Sequence, residues 1–128
     1  MKSIFKHTTI FCLTIVLVIA FGSCKKEGTG GKSKVSGNVK HHTKLIPNAI
    51  VYIKYGATEF PGTSISVYDD QVTADVNANF EFDGLQKGDY YLYGVGYDDA
   101  IMEQVVGGVG IKLRRNESIT SDVPVTEH

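Results

Sequence analysis

The fold of this protein is decided by residues 72–93, which read VTADVNANFEFDGLQKGDYYLY. Two segments of this stretch alternate apolar and polar residues, and Gly84 and Gly88 mark the turn region between them. Alternation with a period of two places every second side chain on one side of a strand, so each segment is predicted to be a half-buried β-strand. The inward-facing set is expected to be Phe80, Phe82, Leu85, Tyr90 and Leu92.

Shorter patterns of the same kind lie on both sides of this stretch. Val35, Gly37 and Val39 alternate with polar residues, and residues 49–54 alternate after Pro47. Further extended segments are predicted at residues 64–68, 102–106, 109–113 and 119–125, with a flexible pair at Gly107-Gly108 and a turn at 115–117. A chain with 14 Gly, seven Tyr and no Trp favours strands and turns. Short strands at regular spacing are typical of an all-β sandwich.

The first residues have the features of an export signal. Lys2 and Lys6 precede an almost wholly apolar run at residues 10–21, as in the basic and apolar regions of a secretory signal. That run is shorter than the roughly 20 residues that a spanning helix needs. An uncleaved membrane anchor is the alternative reading.

The apolar run ends in Phe-Gly-Ser-Cys at residues 21–24, which resembles the lipobox of bacterial lipoproteins of the Bacteroidetes type. The resemblance implies that residues 1–23 are cleaved and that Cys24 is acylated. Several acyl chains would satisfy the physical need, since one chain gives only marginal binding at about 0.8 kcal/mol per buried methylene. Location is then the cell envelope, expected at the outer membrane, on its periplasmic face or at the cell surface. Ordinary secretion with a free thiol is the alternative.

Cleavage before Cys24 would leave a flexible tether followed by one folded domain. Residues 24–34 contain glycines and charges with no apolar side chain to bury after the cysteine, so they are predicted to be flexible. The folded domain is expected to span residues 35–128. Cys12 would leave with the signal, which excludes a disulfide within the mature domain.

The net charge predicted for the mature chain is small. Loss of Lys2 and Lys6 leaves 11 basic and 14 acidic side chains, a net charge of −3. A nucleic-acid partner would need a clustered basic face, so none is expected.

Residues 72–93 also resemble the signature of carboxypeptidase regulatory-like domains. The matching positions are Thr73, Asp75, Phe80, Phe82, Gly84, Leu85, Gly88, Tyr90 and Leu92. The resemblance implies a seven-stranded Greek-key β-sandwich of the transthyretin-like or prealbumin-like type, covering most of residues 35–125. Members are mostly accessory modules without catalysis, so the expected function is a non-catalytic module for binding or scaffolding, with no cofactor.

Two details of this signature give local predictions. Ala78 stands where the family has a turn glycine, and a left-handed conformation would cost Ala roughly 1 kcal/mol or more. Asn77, which tolerates positive φ, is therefore expected to take over that role. Tyr90 is expected to be a buried tyrosine whose hydroxyl bonds a backbone group, as in the corners of other sandwiches.

The candidate binding surface is a row of tyrosines on the outward face of the predicted strand that contains Tyr90 and Leu92. Tyr91, Tyr93 and Tyr97 share that face by their spacing. Tyrosine combines an amphipathic ring with a low entropy cost, which suits recognition of a protein or carbohydrate ligand. The alternative is that loops cover the row and that the rings stabilise the sheet.

Charged pairs and histidines leave other function classes open. His41-His42 would suit a small metal-dependent enzyme with Tyr and His ligands, but adjacent strand residues face opposite sides, so solvated loop histidines are expected. Asp69-Asp70 and Asp98-Asp99 are candidate calcium ligands without calcium-loop spacing. No metal site is expected. A structural subunit that assembles by strand exchange at an unpaired edge is the third class.

Overall fold

The computed structural model describes residues 26–128, and this part of the chain is all-β. The predicted signal, the lipobox and Cys24 lie outside the described residues. The strands are β1 (Thr29–His41), β2 (Lys44–Leu45), β3 (Ile50–Tyr55), β4 (Asp70–Thr73), β5 (Asn79–Leu85), β6 (Gly88–Asp98), β7 (Glu103–Leu113), β8 (Ser118–Thr120) and β9 (Val123–Glu127). Residues 26–128 contain no helix with the length and apolar character needed to cross a bilayer.

The strands form one mixed sheet that curls over itself. The order along the sheet is β2-β1-β9-β7-β6-β3-β4, and β5 and β8 also pair with β1. β1 runs parallel to β8 and β9, whereas the other pairs are antiparallel. Because β9 joins β1 to β7, the β5-β1-β8 part folds over the β4-β3-β6-β7 part and closes a sandwich-type core.

The core confirms the inward-facing set of the opening stretch. Phe80, Phe82, Leu85, Tyr90 and Leu92 are all buried in one apolar cluster. The remaining buried members of that cluster are Val35, Val39, Ile46, Ala49, Val51, Ile53, Ala74, Val105, Leu113, Val123 and Val125. Both parts of the curled sheet contribute to it, which confirms the all-β sandwich class. The described residues form nine strands rather than the seven that the resemblance implied, and two of the nine, β2 and β8, contain only two and three residues.

Tyr90 forms the predicted corner. Its hydroxyl donates a hydrogen bond to the carbonyl oxygen of Gln86 at 2.6 Å and accepts one from the backbone N–H of Gly28 at 2.9 Å. Tyr90 and Gly28 are both buried. The corner therefore fastens the segment that precedes β1 to the turn between β5 and β6.

The prediction of a flexible tether is wrong for residues 29–34. These residues begin β1 and pair with β5, and Ser33 is fully buried. The Ser33 hydroxyl donates to the carbonyl oxygen of Arg114 at 2.6 Å and accepts from the N–H of Glu117 at 3.1 Å. A Cβ at Gly31 would clash with the carbonyl oxygen of Leu85. The glycine thus permits close backbone approach, which the sequence pattern did not distinguish from flexibility.

Three further local predictions are corrected. Ala78, and not Asn77, adopts the positive φ of 62°, because the Asp75 carboxylate accepts hydrogen bonds from the N–H groups of Asn77 at 2.8 Å and Asn79 at 2.9 Å and holds the turn around it. Gly107-Gly108 is not flexible but lies inside β7. Residues 64–68 contain a 3-10 turn, Ile65–Val67, instead of a strand.

The Tyr90 corner gives a stability prediction. Tyr90→Phe keeps the buried ring but leaves the Gly28 N–H without its acceptor, so the free energy of unfolding should fall by about 1–3 kcal/mol. Urea denaturation measures this change. Tyr97→Phe removes a hydroxyl from an exposed ring and should change little; equal stability of Tyr90→Phe and the parent protein would show that the corner is not stabilising.

Candidate functional site

The outward face of the β3-β6-β7 sheet carries an aromatic cluster. Antiparallel pairing places Tyr52 directly opposite Tyr93, with ring centroids 6.4 Å apart. Tyr91 is two residues before Tyr93 and lies on the same face. We use the name aromatic cluster for Tyr52, Phe60, Tyr68, Tyr91 and Tyr93.

The loop between β3 and β4 supplies the other two rings. Tyr68 stacks on Tyr93 at 5.5 Å with an interplanar angle of 10°, and Phe60 lies 5.4 Å from Tyr93. The Tyr68 hydroxyl donates to the carbonyl oxygen of Gly62 at 2.8 Å. Burial raises the pKa of Tyr68 to about 12, so this hydroxyl keeps its proton over the physiological range. The loop is therefore packed onto the sheet through aromatic contacts.

The three predicted tyrosines have different surroundings. Tyr93 is only 4% exposed because the loop covers it. Tyr91 is half-buried, with its ring 6.0 Å from that of Phe60, whereas Tyr97 lies beyond the loop and is 52% exposed. The row on one face is present, but the structure leaves only Tyr97 fully available.

Sequence reasoning missed Phe60 and Tyr68 as parts of this face. Phe60 precedes Pro61-Gly62, and this pair predicts a turn but does not indicate where the ring of Phe60 packs. Both residues come from a loop, whose path over a sheet has no periodic signature. The available signal was the presence of two aromatic residues in a loop rich in Gly, Ser and Thr.

Beside the loop lies an open patch made of Ile50, Val95, Tyr97 and Val106. Val95 is directly opposite Ile50 on β3 and Val106 on β7, so the three side chains form a row across the sheet. Each of the three is half-buried. Tyr97 is next along β6 on the same face.

Polar side chains surround the open patch. Thr73 lies opposite Ile50, Gln104 opposite Tyr97, and Thr126 opposite Val106. All three are exposed. The face thus combines a row of half-buried apolar side chains and one exposed aromatic ring with hydroxyl and amide groups at its margin.

A second polar site lies at the end of β1. Nδ1 of His41 is 2.7 Å from a carboxylate oxygen of Asp98, and both residues are buried. The Lys44 ammonium donates to the other Asp98 oxygen, and the N–H of Ala100 donates to that oxygen at 2.9 Å. Nε2 of His41 is 3.3 Å from a carboxylate oxygen of Glu127 but makes no hydrogen bond. This cluster ties β1, β2, β6 and β9 together.

The cluster corrects two sequence-based expectations. His41 is not a solvated loop histidine, because it ends β1 with its side chain inward, while His42 is exposed in the turn. Asp98 is not free for calcium, because its carboxylate is occupied by His41, Lys44 and Ala100. Alternation correctly separated the two histidines, but it could not show that a carboxylate 57 residues away meets one of them.

The ionisable groups of this cluster shift one another's pKa values. The hydrogen bond with Asp98 raises the pKa of His41 above its ordinary value of 6.5, although burial opposes the shift. The hydrogen bonds from His41 and then Lys44 hold the pKa of Asp98 well below its usual range. The pairing thus shifts His41 toward its protonated form and Asp98 toward its ionised form.

The remaining candidate ligands do not come together. Oδ2 of Asp69 accepts from the N–H of Tyr55 at 2.7 Å and lies 3.4 Å from the Lys54 ammonium. Within residues 26–128 there is no group of three or more His, Cys, Asp or Glu side chains placed to hold a metal ion.

Comparison with known proteins identifies a similar fold. No protein-family model and no curated protein sequence matches the chain. A crystal structure of a Pseudomonas aeruginosa protein, described as a candidate carbohydrate binding protein, is similar with a TM-score of 0.51 and 11% sequence identity. The match covers 81% of this chain and 93% of the Pseudomonas protein. At this identity the match shows a shared β-rich fold.

The His41 cluster gives a pH prediction. Folding raises the pKa of His41, so the protonated histidine stabilises the native state. This contribution is fully present when the pH is below the pKa of the unfolded state, and it is lost as the pH rises through the pKa of the folded state. The free energy of unfolding should therefore be higher near about pH 5.5 than near about pH 8.5. Denaturant titration at both pH values measures the difference.

His41→Gln should abolish most of that pH dependence, because the titrating group is gone. His42→Gln is the matched control and should keep most of it, since His42 is exposed and forms no hydrogen bond with Asp98, although its ring centroid lies 4.6 Å from that of His41. A similar decline between the two pH values in His41→Gln and the parent protein would contradict the assignment.

Proposed function

We propose that this chain is a non-catalytic binding module of the cell envelope, anchored by acyl chains on Cys24, with a carbohydrate as its ligand. The single observation that carries the binding site is the open patch, in which a row of half-buried apolar side chains lies beside the exposed ring of Tyr97 on the outward face of the sheet. Its polar margin makes it suited to a ligand that has both apolar and hydroxyl-rich sides.

Carbohydrates have that chemistry. A sugar ring presents C–H groups on its flat faces, which pack on an aromatic ring such as Tyr97, and hydroxyls at its edge, which exchange hydrogen bonds with amide and hydroxyl side chains. Gln104 and Thr126 stand at suitable positions around the patch. The similarity in fold to a candidate carbohydrate binding protein supports this ligand class.

The family assignment and the location belong to the same proposal. The signature residues in 72–93 support a carboxypeptidase regulatory-like domain, and the buried positions of Phe80, Phe82 and Tyr90 agree with the roles that such a sandwich needs. The lipobox at residues 21–24 supports acylation and an outer-membrane location, on either the periplasmic face or the cell surface.

Other functions make different predictions. A protein ligand would use the same patch through Tyr97 and Val95. A metal-dependent enzyme would carry a stoichiometric transition metal after purification, which elemental analysis would detect. A subunit that assembles by strand exchange would show a mass that rises with concentration in light scattering.

Tyr97 provides the test of the carbohydrate site. The mature chain is first screened on an array of bacterial envelope glycans and other polysaccharides, and the best oligosaccharide is titrated by calorimetry. Tyr97→Ala should weaken its binding by about tenfold or more, as expected for an aromatic contact worth about 1.4 kcal/mol or more.

Two variants control for this result. Tyr97→Phe keeps the stacking ring and should retain most of the affinity, and Ile101→Ala removes an exposed apolar side chain outside the patch. Equal binding by Tyr97→Ala and the parent chain would exclude the open patch. Absence of any glycan binding would argue against a carbohydrate ligand.

Cys24 provides the test of the anchor. Cys24→Ala removes the acylated atom, so the protein should move from the membrane fraction to the soluble fraction of the cell envelope. Intact mass of the parent protein should show the added acyl chains. Membrane association of the variant at the parent level would contradict acylation as the means of attachment.

A further inference from the structure

The Tyr90 corner determines how far the domain can move from Cys24. Gly28 is held by the Tyr90 hydroxyl and also accepts a hydrogen bond from the N–H of Gln86 at 2.7 Å. Three residues lie between Cys24 and Gly28, so the four Cα–Cα steps that join them span at most about 14 Å. If Cys24 carries acyl chains, as proposed above, Gly28 must stay within about that distance of the lipid surface.

The surroundings of Gly28 define one end of the sandwich, which we call the anchor end. It includes the turn between β5 and β6, because Gln86 bonds Gly28. It also includes the turn between β7 and β8, because Ser33 bonds the backbone of Arg114 and Glu117. The opposite end, called the far end, holds the loops at residues 42–49, 74–78 and 99–102, which follow from the strand registers.

We propose that the short connection holds the anchor end beside the lipid headgroups, so that the far end and Tyr97 are directed away from the membrane. The partner is the bilayer surface that carries the acyl chains. This proposal rests on the anchor in the proposed function and adds the geometry that the short connection imposes.

The charge distribution favours the same orientation. We divide residues 26–128 into an anchor half, nearer the anchor end, and a far half, nearer the far end. The anchor half has eight basic residues: Lys26, Lys32, Lys34, Lys54, Lys87, Lys112, Arg114 and Arg115. It also has eight acidic residues: Glu27, Glu59, Asp69, Asp70, Glu81, Asp83, Asp89 and Glu117. The far half has two basic residues, Lys40 and Lys44, and six acidic ones, Asp75, Asp98, Asp99, Glu103, Asp122 and Glu127. The whole negative excess of residues 26–128 is therefore in the far half, which an anionic lipid surface repels.

The orientation has a consequence for ligand access. β6 runs from the anchor end at Gly88 to the far end at Asp98, a length of roughly 30 Å. Tyr97 is the next-to-last residue of this strand, so the open patch lies toward the far end. Val76 and Met102, the most exposed large apolar side chains of residues 26–128, are in far-end loops as well. A ligand would thus approach from the side away from the membrane.

Paramagnetic relaxation by NMR tests this geometry. The isotope-labelled mature chain, residues 24–128, is coupled through the thiol of Cys24 to a maleimide-bearing phospholipid in nanodiscs of phosphatidylethanolamine and phosphatidylglycerol. This coupling tests the geometry whether or not cells acylate Cys24, and the membrane fractionation described above tests acylation separately. Lipids with a gadolinium headgroup then broaden the amide signals of residues near the surface.

The amides of Lys87 and Arg115 should be broadened strongly. Those of Val76 and Met102 should be broadened less by about tenfold or more, because they lie roughly 30 Å farther away. A control variant with about 20 Gly and Ser residues inserted after Lys25 has a connection with a typical span of roughly 25 Å and should lose this contrast. Equal broadening at both ends in the parent chain, or the same contrast in the inserted variant, would overturn the proposal.

Discussion

The hydroxyl of Tyr90 is the contact on which the arrangement of this domain depends. By donating to Gln86 and accepting from Gly28, it joins the start of the chain's folded part to the turn between β5 and β6. A buried N–H without an acceptor is costly, so the strand that follows Gly28 begins in a defined place. That constraint places a segment with the composition of a linker in the first six residues of β1, and it leaves three residues between Gly28 and Cys24 in the sequence.

The outward face of β6 shows how a single strand can present two kinds of surface. Tyr93 and Tyr97 occupy equivalent positions of the alternation, yet one is covered and the other is free. The difference comes from the loop between β3 and β4, which brings Phe60 and Tyr68 onto the sheet. The covered rings stabilise the loop, and the uncovered row of Ile50, Val95 and Val106 with Tyr97 is left as the candidate binding surface.

The His41 cluster has a structural role at the other end of the molecule. It joins four strands, including the last one, through a histidine and an aspartate that are both withdrawn from water. Buried ion pairs stabilise only when their partners are well placed, and here the Lys44 ammonium and the Ala100 N–H complete the set around Asp98. The same packing that makes His41 important for closure also keeps it from acting as a solvent-facing ligand.

The sequence by itself determined the β class, the inward-facing set in residues 72–93 and the Tyr90 corner, because alternation and turn residues act over a few positions. It could not show that Gly31 permits close packing, that Gly107-Gly108 lies inside a strand, that Ala78 bears the positive φ, or that residues 29–34 are a strand. Nor could it separate Tyr93 from Tyr97 or pair His41 with Asp98. Only the tertiary structure decided these points, since each depends on which distant backbone or loop lies within contact distance, and one strand's pattern carries no information about that neighbour.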